Sequence, residues 1–371
     1  MTGDIHKVGM PKWGLSMTEG KVIGWLVDEG EQVDAGTELV EVETEKIAGA
    51  VESPATGVLR RHVAAVGEVV PVGGLVGVVA GADVAEEDVD AFVADFQATF
   101  VPAEAGEDEG PATETVEVDG RRLRYLRLGE GDPPAVLLHG FGGDLNNWLF
   151  NSEKLAQRRA VYALDLPGHG ESSKDAGAGD LGSFAATLGG FLDAVGVGAA
   201  HLAGHSMGAA VALRFALDHP ERAASLALID AAALGEEINA DYIDGFVEAG
   251  TRRQLKPVLH LLFADEGLVT RQLVDDVLKY KRKDGVDEAL RTIRDALFPG
   301  GKQAVDLSPR LTELSVPVLV MWGGDDRVIP VAHATKLEGV HVEVLDGQGH
   351  SPHMEAANEV NRLLGAFLDE V

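Results

Sequence analysis

The stretch Ala199-Ala-His-Leu-Ala-Gly204-His-Ser206-Met-Gly208-Ala-Ala-Val-Ala-Leu-Arg-Phe-Ala-Leu-Asp218 has the pattern of a buried strand, a tight turn and a helix. Ser206 stands at the turn, with a glycine two residues away on either side. These glycines leave room for a strained backbone that lifts the serine hydroxyl clear, and the N–H groups at the start of the helix face it. Gly-x-Ser-x-Gly also occurs by chance, so the motif needs support from its surroundings. The stretch predicts a nucleophile elbow suited to acyl transfer.

The chain around this elbow alternates between strand-like and helix-like segments from Thr113 to Val371. Such alternation predicts an α/β fold with a mostly parallel sheet. An antiparallel entry strand and six short apolar core strands are expected, at residues 121–128, 135–138, 161–164, 200–203, 226–229, 316–322 and 340–345. Between Gly235 and Pro309 the pattern indicates polar helices only. We expect this segment to form a helical cap inserted in the sheet order.

Two further motifs follow the elbow along the chain. They are Trp322-Gly-Gly-Asp-Asp326-Arg-Val-Ile-Pro330 and Gly347-Gln-Gly-His350-Ser-Pro-His-Met-Glu355. With the elbow, in the order Ser, Asp, His, they resemble the α/β-hydrolase superfamily over about residues 114–368. The aspartate of that family's acid loop falls four residues after the tryptophan and four before the proline, which fits Asp326 and not Asp325. The resemblance implies Ser206 as nucleophile, Asp326 as acid and His350 as base.

These residue types suit acyl transfer. A serine hydroxyl is a weak nucleophile until a base accepts its proton, and an imidazole can return that proton to a leaving thiol or alcohol. We expect His350 to do both. A carboxylate at the other ring nitrogen, here Asp326, fixes the tautomer and stabilises the imidazolium. Backbone N–H groups of Phe141 and Met207 are the expected oxyanion hole.

Other titratable residues compete for these roles. His139, His169 and His205 stand in motif loops, where we expect each imidazole to order its loop. His353 is the nearest rival base, but it is expected to begin the last helix. Asp230, which closes the strand after the elbow helix, is the rival acid. The sequence has no His-Glu-x-x-His or comparable cluster, so no metal site is predicted.

The front of the chain contains an internal repeat. Gly20, Gly30-Glu31-x-Val33-x-x-Gly36 and Leu39 recur 37 residues later as Gly57, Gly67-Glu68-x-Val70-x-x-Gly73 and Val76. Short valine-rich runs alternate with glycine turns, which is typical of a small β-sandwich with two similar halves. The segment Glu43-Thr-Glu45-Lys46-Ile47 lies at the junction of the halves.

Residues 3–80 resemble a lipoyl domain, the swinging-arm carrier of 2-oxo acid and acetoin dehydrogenase complexes. The family's Glu-Thr-Asp-Lys turn appears as Glu43-Thr44-Glu45-Lys46. Glu45 for the usual aspartate and Ile47 for the usual alanine are mild departures, and the methionines that flank the lysine of biotin carriers do not occur here. The resemblance implies covalent lipoate on Lys46.

The expected fold is therefore an all-β lipoyl sandwich followed by an α/β-hydrolase fold with a helical cap. We place the lipoyl domain at 1–81, an amphipathic helix and acidic linker at 82–112, and the catalytic domain at 113–371, with the cap at about 235–309. The helix is predicted over Asp83 to Thr99, with Asp83 as N-cap. Its apolar stripe implies docking on a neighbouring domain or, alternatively, recognition of another subunit.

The composition excludes several function classes. The chain has 371 residues and no cysteine, which rules out disulfides, thiolate metal sites and a cysteine nucleophile. Its formal net charge of −30 disfavours nucleic acid and anionic membranes as partners. No segment has the pattern of a secretory signal or of a membrane span. We expect a cytoplasmic enzyme.

A lipoyl carrier joined to a serine acyl-transfer domain resembles the dihydrolipoyllysine-residue acetyltransferase subunits of bacterial acetoin dehydrogenase complexes. The phrase from Met10 to Gly20 adds to that resemblance. It implies transfer of an acetyl group from the lipoyl arm through an acyl-serine to CoA. It also implies two partner enzymes, a thiamine-diphosphate-dependent acetoin-cleaving enzyme and dihydrolipoyl dehydrogenase.

Two alternatives stay open at this point. The chain could be a serine thioesterase or carboxylesterase that uses its front domain for docking, or a lipoyl carrier whose rear domain is an inactive scaffold. The intact Ser, Asp, His set argues against the scaffold. A basic cluster in the cap, Lys279-Tyr-Lys-Arg-Lys283, offers a place for the phosphates of CoA, although a solvated helix face is the simpler interpretation.

Overall fold

A computed structural model describes residues 5–11, 19–43, 48–100 and 112–371. The chain divides into two compact units, Met1–Gly110 and Pro111–Val371. Their boundary falls within the segment interpreted as a linker. Lys46 with its neighbours at 44–47, most of the phrase from Met10 to Gly20, and residues 101–111 of the segment that contains the predicted linker lie outside the described residues.

Within the described part of the first unit, eight strands form two four-stranded sheets. They are β1 (Ile5–Gly9), β2 (Glu19–Trp25), β3 (Gln32–Val33), β4 (Glu38–Glu43), β5 (Ala48–Glu52), β6 (Gly57–His62), β7 (Val69–Pro71) and β8 (Leu75–Ala80). One sheet has the order β1-β8-β6-β3 and the other β5-β4-β2-β7. All pairings within them are antiparallel. The predicted all-β sandwich is confirmed.

The 37-residue repeat appears as two matching glycine turns. The N–H of Gly30 donates to the carbonyl of Leu59 at 2.8 Å, and the N–H of Gly67 donates to the carbonyl of Val22 at 2.8 Å. Gly67 and Leu59 are the repeat counterparts of Gly30 and Val22, so each turn binds the strand of the other half. Gly30 and Gly67 have φ of 92° and 91°, a conformation that favours glycine. The repeat therefore folds as two interlocked halves.

One helix, α1 (Glu86–Thr99), follows the sandwich. The predicted N-cap residue is wrong, because Ala85, two residues after Asp83, occupies that position. Buried Arg60 holds the segment that leads into it by donating to the carbonyls of Gly81 and Val84, at 2.8 and 2.9 Å.

The apolar stripe of α1 packs within the first unit. Val89 is fully buried, and Phe92, Val93 and Phe96 pack against the cluster that contains Val78 of β8. The stripe thus docks on the sandwich beside it, and recognition of another subunit is not needed to explain it.

The second unit is built on an eight-stranded sheet. Its strands are β9 (Thr113–Val118), β10 (Arg121–Leu128), β11 (Ala135–Leu138), β12 (Val161–Leu164), β13 (Ala200–His205), β14 (Ala223–Ile229), β15 (Val318–Gly323) and β16 (His341–Leu345). The order is β16-β15-β14-β13-β11-β12-β10-β9. β10 pairs antiparallel with both β9 and β12, and the remaining pairs are parallel. The predicted α/β fold is confirmed.

Helices cover both faces of this sheet. They are α2 (Leu149–Ala156), α3 (Leu181–Ala194), α4 (Met207–Asp218), α5 (Ala240–Glu248), α6 (Arg252–Leu259), α7 (Arg271–Lys281), α8 (Val286–Leu297), α9 (Ala332–Thr335), α10 (Pro352–Glu355) and α11 (Ala357–Glu370). Helices α3 and α4 share one hydrophobic cluster with α5 to α8, whereas α2 and α11 pack in the cluster on the other face. Helices α5 to α8 lie between β14 and β15 in sequence and form the cap. Among the described residues, no helix is long and apolar enough to cross a membrane.

Candidate active site

Ser206 occupies a strained turn between β13 and α4. Its φ and ψ are 51° and −116°, a conformation that is costly for a residue with a side chain. A Cβ on Gly204 would lie 2.4 Å from the nitrogen of Ala209, and one on Gly208 would lie 2.3 Å from the carbonyl oxygen of Leu138. Both positions therefore require glycine, as the elbow motif predicts.

The structure brings Ser206, His350 and Asp326 into one hydrogen-bonded chain. Nδ1 of His350 is 2.8 Å from Oδ2 of Asp326, and Nε2 of His350 is 3.0 Å from Oγ of Ser206. An ionised carboxylate only accepts hydrogen bonds, so Nδ1 carries the proton and Nε2 is free to accept one from the serine hydroxyl. The three side chains are buried. This arrangement suits a serine nucleophile with an imidazole base.

Asp326 is held by its own loop. Its Oδ1 accepts from the N–H groups of Val328 and Ile329, at 2.7 and 3.0 Å. Oδ2 is thereby directed at His350. The adjacent Asp325 is exposed, so the spacing rule that separated the two aspartates agrees with the geometry.

The two predicted oxyanion donors flank the serine. Met207 is the first residue of α4, where an N–H has no partner within the helix. Phe141 follows Gly140, at which an added Cβ would lie 3.2 Å from Cβ of Ser206. The hydroxyl of Tyr242, in cap helix α5, donates to the carbonyl of Phe141 at 3.2 Å. The cap thus contributes to the position of this loop, which the sequence did not indicate because Tyr242 lies 101 residues away.

The motif histidines order loops. Nε2 of His205 donates to the carbonyl of His350 at 2.7 Å, and burial lowers the pKa of His205 well below its usual value, so the ring is neutral. His139 accepts from the N–H of Leu166 at 3.0 Å and contacts the carbonyl of Gly140 at 2.8 Å, which joins the loops after β11 and β12.

His169 is within 3.0 Å of the carbonyl of Pro167, in its own loop. His353 does not begin the last helix. It lies in the separate short helix α10, because the backbone of Ala356 is non-helical and α11 starts only at Ala357. Its ring is fully buried against His205 and Trp148, with centroids 4.3 and 4.8 Å away. It has no contact of the kind that His350 makes with Ser206.

Asp230 lies beside the triad without being the partner of His350. It directly follows β14, is fully buried, and accepts from the N–H of Gly323 at 2.9 Å through Oδ1. Within the described residues, Asp230, Asp326 and His350 are the one group of three or more acids and histidines whose ligand-type atoms all lie within 4.8 Å of one another. Because His350 and Asp326 already bond to each other, we interpret this group as a hydrogen-bonded unit.

A pocket opens beside the oxyanion loop. It is lined by residues 140–143 and by cap residues that are mostly apolar, among them Tyr242, Phe246, Leu259 and Phe263. This lining suits an acyl chain or a hydrocarbon arm.

The cap is also bonded to both catalytic loops. The guanidinium of Arg327, next to Asp326, donates to the carbonyls of His260 and Phe263. The carboxylate of Glu355 accepts from the N–H of Gly349, at 3.0 Å, and from that of Ala264, at 2.9 Å. Arg327 and Glu355 stand in the sequence motifs, but their partners in the cap are 64 to 91 residues distant, so the sequence did not indicate these contacts.

The basic cluster at 279–283 is partly engaged. Lys281 is half-buried and donates to the carbonyls at the end of α5, with 3.0 Å to that of Val247, and Lys283 forms an ion pair with Glu171. These contacts give both lysines a structural role and weaken the case for CoA phosphates there.

Known proteins resemble both units. Residues 133–357 match the family model described as alpha/beta hydrolase fold, and residues 6–79 match that described as biotin-requiring enzyme. The chain is 53% identical over 367 residues to the dihydrolipoyllysine-residue acetyltransferase component of the acetoin cleaving system of Pseudomonas putida, with 98% of each chain covered. The component of the same name from Cupriavidus necator is 49% identical, over 98% of this chain and 97% of that protein. The crystal structure of a bacterial membrane phospholipase A, with 30% identity and a TM-score of 0.61, covers 70% of this chain and 86% of that one.

Proposed function

Because the chain belongs to the α/β hydrolase fold family and, along nearly its whole length, to that of the acetyltransferase components of acetoin cleaving systems, we propose that it transfers an acetyl group from a lipoyl-lysine to CoA. The observation that carries the proposal is the hydrogen-bonded Ser206, His350 and Asp326 on the elbow of a chain that also has a lipoyl-type unit. A component of this kind works with partner enzymes. We assign a thiamine-diphosphate-dependent acetoin-cleaving enzyme upstream and dihydrolipoyl dehydrogenase downstream.

The first unit suits a lipoyl group on Lys46. The four residues 44–47 connect β4 to β5, and Glu43 and Ala48 at the two ends of that connection are antiparallel partners. A lipoyl group there would supply a dithiol that carries an acyl group as a thioester. The described residues just before the connection, Glu41 and Glu43, are exposed acids.

Ser206 begins the chemistry by attacking the carbonyl carbon of an acyl thioester. Nε2 of His350 accepts the hydroxyl proton as the bond forms, and Asp326 stabilises the resulting imidazolium. The amides of Phe141 and Met207 donate to the oxyanion. His350 then protonates the departing thiol sulfur, which leaves an acetyl ester on Ser206.

The second half-reaction runs the same steps in reverse with another thiol. Nε2 of His350 accepts the proton of the CoA thiol, whose sulfur attacks the ester carbonyl, and the proton returns to the oxygen of Ser206. Because Ser206 is only 6% exposed, the acyl ester is shielded from water. That shielding favours a thiol acceptor that brings its own binding energy over bulk water.

The test supplies acetyl-dihydrolipoamide and CoA and measures acetyl-CoA and free acetate in parallel. The proposal predicts acetyl-CoA as the main product, ping-pong kinetics, and an acetyl adduct on Ser206 by mass spectrometry when CoA is withheld. Ser206→Ala should lose several orders of magnitude of rate, whereas Ser183→Ala, the same change at a half-buried serine in the first turn of α3, should not.

Other outcomes separate the alternatives. Acetate as the main product would make the enzyme a hydrolase. Intersecting initial-rate lines with an active Ser206→Ala protein would show that CoA attacks directly, without an acyl-serine.

A further inference from the structure

Asp230 directly follows β14 and Asp326 lies three residues beyond β15, and these two strands are parallel neighbours, so the two carboxyl groups meet at one edge of the sheet. One oxygen of Asp230, one of Asp326 and a ring nitrogen of His350 all lie within 4.8 Å of one another. The side chains of Asp230 and Asp326 are both fully buried. Two carboxylates that share a dry site cannot both stay ionised without a large electrostatic cost.

The hydrogen bonds decide which of the two keeps the charge. Asp326 accepts three times, from the N–H groups of Val328 and Ile329 and from Nδ1 of His350. Asp230 accepts once, from the N–H of Gly323, and its Oδ2 is buried without a hydrogen-bond partner among the described residues. Donors stabilise the ionised form, so the charge belongs on Asp326.

We propose that Asp230 is a neutral carboxylic acid whose Oδ2–H donates to the carboxylate of Asp326, and that it thereby acts as a positioning residue for the triad. The proposal rests on the function assigned to Ser206, His350 and Asp326 above. Burial first, and then the charge of Asp326, raise the pKa of Asp230 well above its ordinary value, which agrees with this assignment. The titratable groups that face Asp230 are Asp326, His350 and the more distant Glu355, whose negative charge acts in the same direction.

This arrangement places one negative charge on the pair. A donated hydrogen bond from Asp230 would fix the rotamer of Asp326 while leaving its charge available to the imidazolium of His350. The backbone supports the geometry, since Asp230 has a φ of 44° and its N–H donates to the carbonyl of Met321 at 3.0 Å. No ligand or added reactant is required, because the proton is shared between two side chains of the same chain.

The direct test is infrared difference spectroscopy of the full-length protein at neutral pH. The spectrum of the wild type minus that of Asp230→Asn should show the C=O stretch of a protonated carboxylic acid. The same band should appear when both proteins also carry Ser206→Ala and are inactive. The same difference for Asp325→Asn, at the exposed neighbouring acid, should show a carboxylate band instead. A carboxylate band for Asp230 would overturn the proposal whatever the activity of the enzyme, so its failure is distinct from failure of the proposed function.

Kinetics supply the second readout. Asp230→Ala removes a hydrogen bond to a charged group, and we expect a loss of about 10- to 100-fold in kcat with a smaller change in KM. Asp230→Asn has the same shape, is uncharged and keeps an N–H donor. It should therefore retain most of kcat, and the acid limb of its pH–rate profile should lie at the same pH as in the wild type. If Asp230 were ionised, the asparagine would remove a charge near His350 and shift that limb to lower pH, which would refute the assignment. Thermal denaturation shows that each variant folds.

Discussion

Replacing Asp326 by asparagine tests the triad most sharply, because the loop dictates how the new amide would sit. In the native chain Oδ1 accepts from the N–H groups of Val328 and Ile329, and Oδ2 faces Nδ1 of His350 at 2.8 Å. An amide has one acceptor and one donor end. Its oxygen will take the Oδ1 position, where the two N–H groups need an acceptor. Its NH₂ will therefore face His350.

This orientation reverses the tautomer of the imidazole. Nδ1 must become an acceptor, so the proton moves to Nε2, which can then no longer accept the proton of Ser206 from 3.0 Å away. The volume of the side chain is unchanged, so the fold should be retained. An equivalent change in a serine protease costs about 10⁴-fold in kcat, and we expect a loss of about 10³- to 10⁴-fold here.

The assay is steady-state formation of acetyl-CoA from acetyl-dihydrolipoamide, with Asp325→Asn as the matched control. Asp325 is exposed, and its substitution should leave kcat within about twofold, as expected for a screened surface charge. Circular dichroism and the melting temperature establish that both variants are folded. If Asp326→Asn retained more than about a tenth of the activity, the tautomer argument, and with it the role of Asp326, would be wrong.

Three further predictions concern Lys46, Gly208 and His353. Lys46→Arg should remove the lipoyl increment from the intact mass and stop turnover by the assembled complex, while activity on free acetyl-dihydrolipoamide persists. Gly208→Ala should destabilise the fold by at least about 2 kcal/mol in urea, because the new Cβ would lie 2.3 Å from the carbonyl of Leu138, whereas Gly250→Ala, with open space around it, should change stability by less than about 1 kcal/mol. Burial lowers the pKa of His353 to about 3. Below about pH 6.5 this histidine is protonated in the unfolded chain but stays neutral in the folded chain, so the free energy of unfolding falls as the pH falls. When the pH is lowered from about 7.5 to about 5, the free energy of unfolding of His353→Phe should therefore decrease by about 2 kcal/mol less than that of the wild type. An equal decrease would show that His353 is not neutral in the folded protein.

The sequence was most informative where one local pattern determines one element. β11 and β12 begin and end at the predicted residues, because each is a short apolar run bounded by turn residues. The elbow was equally predictable, since only glycine fits at 204 and 208.

The errors arose where distant contacts override local preference. Asp83 has the chemistry of an N-cap, but the chain there is fixed by Arg60, and α1 starts later. The break between α10 and α11 falls at Ala356, although alanine favours helices. Glu355, just before the break, is bonded to Gly349 and Ala264, and these contacts set where the helix ends.

The choice between Asp230 and Asp326 shows what the sequence could and could not supply. Both acids follow the strands β14 and β15, which are adjacent and parallel, so their carboxyl groups must lie near each other and near the histidine loop. Residue type is therefore the same for the two candidates, and both stand shortly after the end of a strand. What differs is the number of N–H groups that each receives, which depends on the backbone of residues 326–329 and on the approach of Gly323. The carboxylate that accepts more hydrogen bonds keeps the charge and binds His350, and the other is left to hold a proton. The two acids are thus a charged partner and a neutral support in one unit, and substituting either should change the behaviour of the other.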